Sequence, residues 1–212
     1  MTGNPLIKDE ELRDYELGYR SEIAKTLSLD FATFLSFYRH LETIDPQPML
    51  MVPGSPTQLV IPMLFGSNAR AVTYGGEGSF SWNATSRWRI RPGYSYLHAT
   101  LRHDATSTGS TAAVTLDTGF PQNMFQLRSS VNLPRKTEFD QSLYYTARLP
   151  GGSIPGHARL DLRLARHFGE QAEISLVGQN LLRPRSMEYG DSYAIIGTQA
   201  LRSVFAQIRW RF

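Results

Sequence analysis

The sequence predicts an all-β fold: an antiparallel, up-and-down sheet of the transmembrane β-barrel type. Three observations carry this. Apolar and polar residues alternate with period two through most of the 212 residues, the alternating runs mostly span about 10–13 residues, and the stretches between them are short and long in strict turn. Successive strand side chains point to opposite faces, so a period of two separates an apolar face from a polar one. A tilted membrane strand needs ~9–11 residues, whereas globular strands cluster near ~5–6. Short turns at one end and longer loops at the other are the pattern of outer-membrane barrels.

Nine runs make up the pattern. Tyr15, Leu17 and Tyr19 oppose Glu16 and Arg20. From 27 to 38, Leu27, Leu29, Phe31, Leu35 and Phe37 oppose Ser28, Asp30, Ser36 and Tyr38. From 72 to 83, Val72, Tyr74, Phe80 and Trp82 oppose Thr73, Glu77, Ser79 and Ser81. From 87 to 99, Trp88, Ile90, Tyr94 and Tyr96 oppose Arg87, Arg89, Arg91 and Ser95. The run 123–133 sets Phe125, Leu127, Val131 and Leu133 against Gln126, Arg128, Ser130 and Asn132. The run 139–149 sets Phe139, Leu143, Tyr145 and Ala147 against Asp140, Ser142, Thr146 and Arg148. In 158–168, Leu160, Leu162 and Leu164 alternate with Arg159, Asp161 and Arg163. The run 173–182 is weaker, with Ile174 and Leu176 against Glu173, Ser175 and Gln179. The last, 203–212, places Val204, Ala206, Ile208, Trp210 and Phe212 opposite a mainly polar set.

Proline has no N–H for a sheet ladder. Of the 12 prolines only Pro92 falls inside a run, and a bulge or local irregularity is expected there. The connections 22–26, 84–86, 134–137 and 169–171 are short; 40–69, 102–121, 150–156 and 183–198 are longer and rich in turn formers. Within the first long loop, QLVIPMLF at 58–65 is expected to form a small hairpin.

Composition bounds the reading. Hydrophobic residues at 41% and aromatics at 11% exclude disorder. The 22 basic and 19 acidic residues nearly balance, which argues against a nucleic-acid partner. Cysteine is absent, so there is neither a disulfide nor a thiolate metal site. No run of 18 apolar residues supplies a transmembrane helix, and the N-terminus has no stretch of signal-peptide type. The cations are 19 Arg and only 3 Lys, mostly within the alternating runs.

The aromatic residues decide between a soluble and a membrane sheet. Trp82, Trp88, Trp210 and Phe212 fall beside short turns or the terminus; Tyr94, Tyr96 and Tyr38 fall toward the long loops, Tyr38 on the polar face. Two aromatic bands flanking an aliphatic middle fit the two interfaces of a bilayer. The first run precedes a short turn and the last follows a long loop, so the strand number is odd. Bacterial single-chain barrels have even numbers, and an open sheet leaves unsatisfied edges in hydrocarbon. The nine strands are therefore expected to be part of a larger barrel, or to be closed by other chains.

The stretches YELGYR (15–20), LSLDFATFLSFYRHL (27–41), AVTYGGEGSFSW (71–82), GYSYL (93–97), RLDLRL (159–164), LVGQNLL (176–182) and IRWRF (208–212) resemble, in order, the C-terminal part of the β-barrel of a TonB-dependent outer-membrane receptor. The resemblance implies a 22-stranded barrel closed by an N-terminal plug. It also implies a Gram-negative outer-membrane location and uptake of a scarce nutrient such as an iron chelate or vitamin B12, driven by the TonB complex. Residues 1–212 then form the C-terminal portion of that barrel, without the plug or the first strands, and TonB acts only through the absent plug. Phe212, with Trp210 and Ile208, resembles the signal read by the outer-membrane assembly machinery.

Site chemistry is sparse. Arg87, Arg89, Arg91, Arg128, Arg148, Arg159, Arg163, Arg209 and Arg211 share the polar face with Glu16, Asp30, Glu77, Asp140 and Asp161. They read either as a wall that guides an anionic ligand, since the Arg fork pairs with carboxylate or phosphate, or as mutual ion pairs that solvate the lumen and dock the plug. Gly75, Gly76 and Gly78 lack the helix that a phosphate cradle needs. His40, His98, His103 and His157 lie in or near outer loops and, with His167, show no metal-ligand spacing. No nucleophile elbow is present, so no enzyme, cofactor or metal is expected. Ligand contact is expected in loops 40–69, 102–121 and 183–198, at no single nameable residue. Two other readings stay open: a truncated barrel piece without transport of its own, and a soluble lipocalin-like carrier with the apolar face inward.

Overall fold

The computed structural model describes residues 4–54, 58–105, 107, 119–151, 154–189 and 198–212, with the backbone alone at 188, 189 and 198. Among them there is no helix. Thirteen strands form: β1 (Glu11–Ala24), β2 (Leu27–Pro46), β3 (Leu50–Val52), β4 (Gln58–Val60), β5 (Met63–Thr85), β6 (Trp88–His103), β7 (Asn123–Leu133), β8 (Thr137–Thr146), β9 (His157–Phe168), β10 (Ala172–Gln179), β11 (Arg185–Tyr189), β12 (Thr198–Leu201) and β13 (Ser203–Trp210). Nine of them make one sheet in the order β1-β2-β5-β6-β7-β8-β9-β10-β13, so each strand pairs with its neighbour in the sequence pattern. These are the nine predicted runs. The pairs β3-β4 and β11-β12 form separate two-stranded sheets.

Several details correct the sequence reading. The hairpin expected within 58–65 forms instead between Leu50–Val52 and Gln58–Val60, and 63–65 belongs to β5. Strands β2 and β5 run well into the predicted loop 40–69. Strand β8 stops at Thr146, which leaves Arg148 outside it. At Pro92 no bulge appears toward β7: Arg91↔Arg128, Pro92↔Leu127 and Gly93↔Gln126 keep unbroken register. The reason is the alternation of antiparallel hydrogen bonding. Asn132 donates its N–H to the Arg87 carbonyl at 2.7 Å, so odd residues of β6 bond to β7, and the missing N–H of Pro92 faces the other side.

The chain divides into two compact units. The first comprises residues 1–16, 34–75 and 97–120. Its small core is Leu41, Ala69 and Ala71, with Tyr38 and Leu101 packed against it. Ser36, Thr43, Asp45 and Thr73 are buried on that side, while Tyr15, Phe37 and Tyr74 are exposed. Within β2 the buried parity switches from Ser36 to Leu41, Thr43 and Asp45, because His40 has φ 56° and inserts an extra residue in the left-handed region. His40 thus lies inside a strand rather than in a loop.

The second unit comprises 17–33, 76–96 and 121–212. Its turns follow local chemistry: Gly169 supplies φ 67° after β9, and Arg135 and Lys136 take φ 63° and 55° between β7 and β8. In β10, Glu173 and Ser175 are buried while Ile174 and Leu176 are exposed. Across the pair β10-β13, Ile174 meets Ile208 and Ala172 meets Trp210, and these side chains stay open, with Ile208 at 73% and Trp210 at 59% exposure. Leu160 and Leu162 are half-buried. The polar side is the sheltered one, the inverse of a water-soluble sheet. Leaving one large aliphatic side chain in water forgoes about 1.5–3 kcal/mol, so a face of this kind requires an apolar surrounding.

Two polar atoms on the apolar face have partners within the sheet. Trp88 donates Nε1–H to Ser129 Oγ at 3.0 Å, and Tyr94 Oη donates to Asn123 Oδ1 at 2.5 Å. Arg166, the exception on that face of β9, folds over the Phe168 ring at 5.3 Å beside the short turn.

Candidate functional site

The polar face carries the candidates. In the second unit a cavity of about 650 Å³ is lined by Arg20, Asp30, Glu77, Ser95, Gln126 and Tyr144, among others. Arg20 donates to Asp30 Oδ2 through Nε at 2.7 Å. Gly93 lies beneath Gln126: a Cβ there would fall 2.9 Å from the amide nitrogen, so the missing side chain makes room for that carboxamide. Gly76 sits where a Cβ would approach the Ala32 carbonyl to 3.0 Å, which explains one of the strand glycines by close backbone approach.

A second group gathers on β8, β9, β10 and β13. Arg163 donates through Nη1 to Asp140 Oδ2 at 2.9 Å and Glu138 Oε2 at 3.1 Å, and through Nη2 to Glu173 Oε1 at 2.6 Å. Arg209 Nη1 stands 3.6 Å from Glu173 Oε2. His167 Nε2 lies 3.0 Å from Glu138 Oε1, in ion-pair range but out of line for a hydrogen bond. One guanidinium thus holds three carboxylates from two strands, β8 and β10, and together with Arg209 it offsets two of their three charges.

A third group joins two of the quoted motifs. Arg159 makes a two-pronged contact with Asp161, Nη2 to Oδ2 at 2.8 Å and Nε to Oδ1 at 3.0 Å. Asp161 Oδ1 also accepts the Asn180 N–H at 2.9 Å. The Asn180 amide then donates to Ser186 Oγ at 3.1 Å and the Ala200 carbonyl at 2.9 Å. With φ 53° and 1% exposure, Asn180 turns the chain out of β10 and pins the hairpin β11-β12.

In the first unit Asp45 is the hub of a knot at the long-loop end. It accepts Thr43 Oγ1 at 2.8 Å, Asn68 Nδ2 at 3.0 Å and Ser107 Oγ at 2.7 Å. A Cβ on Gly66 would fall within 2.6–2.7 Å of Thr43 Oγ1, Asn68 Nδ2 and Asp45 Oδ2, so any larger residue there would push these side chains apart.

Of the sequence candidates, Asp30, Glu77, Asp140, Asp161, Arg159, Arg163 and Arg209 enter these groups. Arg87, Arg89 and Arg91 line a smaller cavity of about 230 Å³ with Glu138 and Asp140; Arg89 donates to Asn83 Oδ1 at 2.8 Å. Arg128 sits 5.9 Å from the Tyr144 ring centroid. Glu16, Arg148 and Arg211 make no ion pair among the described residues. Glu138, Glu173, Asp45 and Asn180 were not among the sequence candidates, and His167 entered only as a histidine without metal-ligand spacing. His167 was legible, since it faces Glu173 across the turn 169–171; Asp45 was not, because the bulge at His40 reverses its parity. Much of the loops 102–121 and 183–198, namely 106, 108–118 and 190–197, lies outside the described residues. No cluster of three or more His, Asp or Glu among the described residues is arranged to hold a metal ion.

A family model described as TonB dependent receptor-like, beta-barrel matches residues 1–181. No curated protein matches in sequence. Among solved structures, the FrpB iron transporter from Neisseria meningitidis (F3-3 variant) superposes with a TM-score of 0.73 at 12% identity, covering 98% of this chain and 32% of that one. The pyoverdine outer membrane receptor FpvA from Pseudomonas aeruginosa PAO1 gives 0.69 at 16% identity, with 99% and 31% covered. The ferric-catecholate import receptor Fiu from K12 E. coli gives 0.68 at 15%, with 95% and 27% covered. The chain therefore spans about a third or less of the length of these structures.

Proposed function

The chain belongs to the TonB-dependent receptor-like β-barrel family, and from that premise we propose that it serves as a wall of an outer-membrane receptor for a scarce nutrient, an iron chelate foremost. In this reading residues 1–212 are the C-terminal portion of a 22-stranded barrel in the outer membrane of a Gram-negative bacterium. The remaining strands and the plug come from chain outside this sequence, and coupling to TonB runs through that plug. Ligand is captured at the long-loop end and passes along the polar face without any covalent step.

The observation that carries the proposal is the inverted distribution of side chains. Glu173, Ser175, Ser36 and Asp45 are sheltered while Leu17, Ile174, Leu176 and Ile208 stand open. A lipocalin-like carrier would need the reverse, so that alternative loses its premise. The cavity beside Arg20, Glu77 and Gln126 supports passage of a polar solute. The iron chelates come from the names of the structural neighbours, FrpB, FpvA and Fiu. The Arg163 group instead favours a structural role, because its guanidinium is already taken up by three carboxylates.

The test is deletion of the complete gene in its host under iron starvation, with uptake of labelled ferric-catecholate and pyoverdine-type chelates as readout. Loss of one uptake activity, restored by the intact gene, is expected. Unchanged uptake of every chelate would remove iron from the proposal. A product recovered in the soluble fraction without detergent would remove the receptor.

A further inference from the structure

We propose that Arg13, Arg39, Arg70 and Arg102 form a binding site for a phosphate-bearing lipid headgroup on the apolar face of the sheet, at its long-loop end; this rests on the membrane reading above. The four residues belong to the consecutive strands β1, β2, β5 and β6 and line one groove of about 660 Å³ together with Glu11 and Tyr15.

Their side of the sheet follows from their neighbours. Asp14 accepts a hydrogen bond from the buried Ser36 at 2.6 Å, so Arg13 points the other way. Arg39 shares parity with the exposed Phe37, which meets Tyr15 edge-on at 6.4 Å. Ala69, Ala71 and Thr73 are buried, which leaves Arg70 on the side of exposed Tyr74. Leu101 packs on the core, so Arg102 projects opposite. Phe37, Tyr15, Tyr74 and His98 lie one or two side-chain steps nearer the middle of the same strands; the Tyr74 and His98 rings meet tilted, with centroids 5.0 Å apart. A row of rings capped by a row of guanidinium groups is the order in which a barrel crosses from hydrocarbon into headgroups.

The charge is not consumed internally. Arg70 Nε stands 3.6 Å from Asp104, both largely exposed, and Glu11 faces His40 at 3.9 Å. Arg13, Arg39 and Arg102 make no ion pair among the described residues. With Glu11 and Asp104 counted against four arginines, a surplus of two positive charges remains. Arginine on a lipid-facing surface is tolerated only near the interface, and its planar fork binds phosphate oxygens in pairs. The groove lies on the side of the exposed rings Tyr15, Phe37 and Tyr74, so its phosphate comes from the lipid side, not from a solute in transit.

The test uses the complete receptor in neutral detergent micelles, wild type and the triple variant R39Q/R70Q/R102Q. Binding of diphosphoryl lipid A is measured against phosphatidylcholine, with inorganic phosphate as competitor. The expected result is selective binding of diphosphoryl lipid A by the wild type, untouched by millimolar phosphate. In the variant it falls on the order of tenfold or more, with unchanged heat-modifiable migration in SDS. Equal lipid binding by the variant, equal binding of phosphatidylcholine, or displacement by inorganic phosphate would each overturn the lipid site while leaving the membrane reading intact. A wild-type receptor that needs no detergent and shows no heat-modifiable form would overturn both.

Discussion

Arg163 shows how single residues set the polar face. Its guanidinium is about a quarter exposed and touches Glu138, Asp140 and Glu173, the last only 10% exposed. Exposed ion pairs contribute little, about 0–1 kcal/mol, but stranding a sheltered carboxylate costs more, because it loses both water and its counter-charge. Arg163→Met in the complete receptor is expected to lower stability by about 1–3 kcal/mol, read as the urea midpoint in micelles; E173Q in the same background should recover part of it. If the double variant is no more stable than the single one, Glu173 is not the group left stranded. Gly66 and Asn180 make the same point through backbone. Each holds a place where another residue would lose either the space or the hydrogen bonds that fix a loop.

At the scale of the strand, parity is the quantity that matters. Strand β10 presents Glu173 and Ser175 to one side and Ile174 and Leu176 to the other. If the second side meets hydrocarbon, Leu176→Arg is expected to destabilise the bilayer-reconstituted receptor by about 2–4 kcal/mol. On a water-facing surface the same change would stay within about 0.5 kcal/mol. Equilibrium unfolding in liposomes separates the two outcomes. A change below about 0.5 kcal/mol would remove Leu176 from the lipid face. The long strands β2 and β5 show what parity alone misses. One left-handed residue, His40, reverses which positions of β2 are buried, and no alternation in the sequence announces it.

For the molecule as a whole, the sheet begins with β1 and ends with β13, each paired to one neighbour among the described residues. Two open edges in a bilayer leave backbone groups unsatisfied at several kcal/mol each, so residues 1–212 expressed alone should not give the compact, SDS-resistant band of a closed barrel. Joined to the further strands proposed above they should. Heat-modifiable gel migration checks both arms, and an SDS-resistant form of the isolated chain would show that nine strands suffice.

By itself the sequence determined the class of fold, the nine strands, their order and which face is greasy, because alternation along a strand is a local property that each residue carries on its own. The tertiary structure alone decided what depends on pairing. That includes the unbroken register past Pro92, the reversed parity after His40, and the partners of Asp45. It also brings Arg163 to carboxylates 10 to 25 residues away in the chain and aligns four arginines from four strands. Register is a relation between strands: short turns fix it locally, as between His167 and Glu173, but across long loops and past a bulge alternation alone does not say which residue will stand beside which.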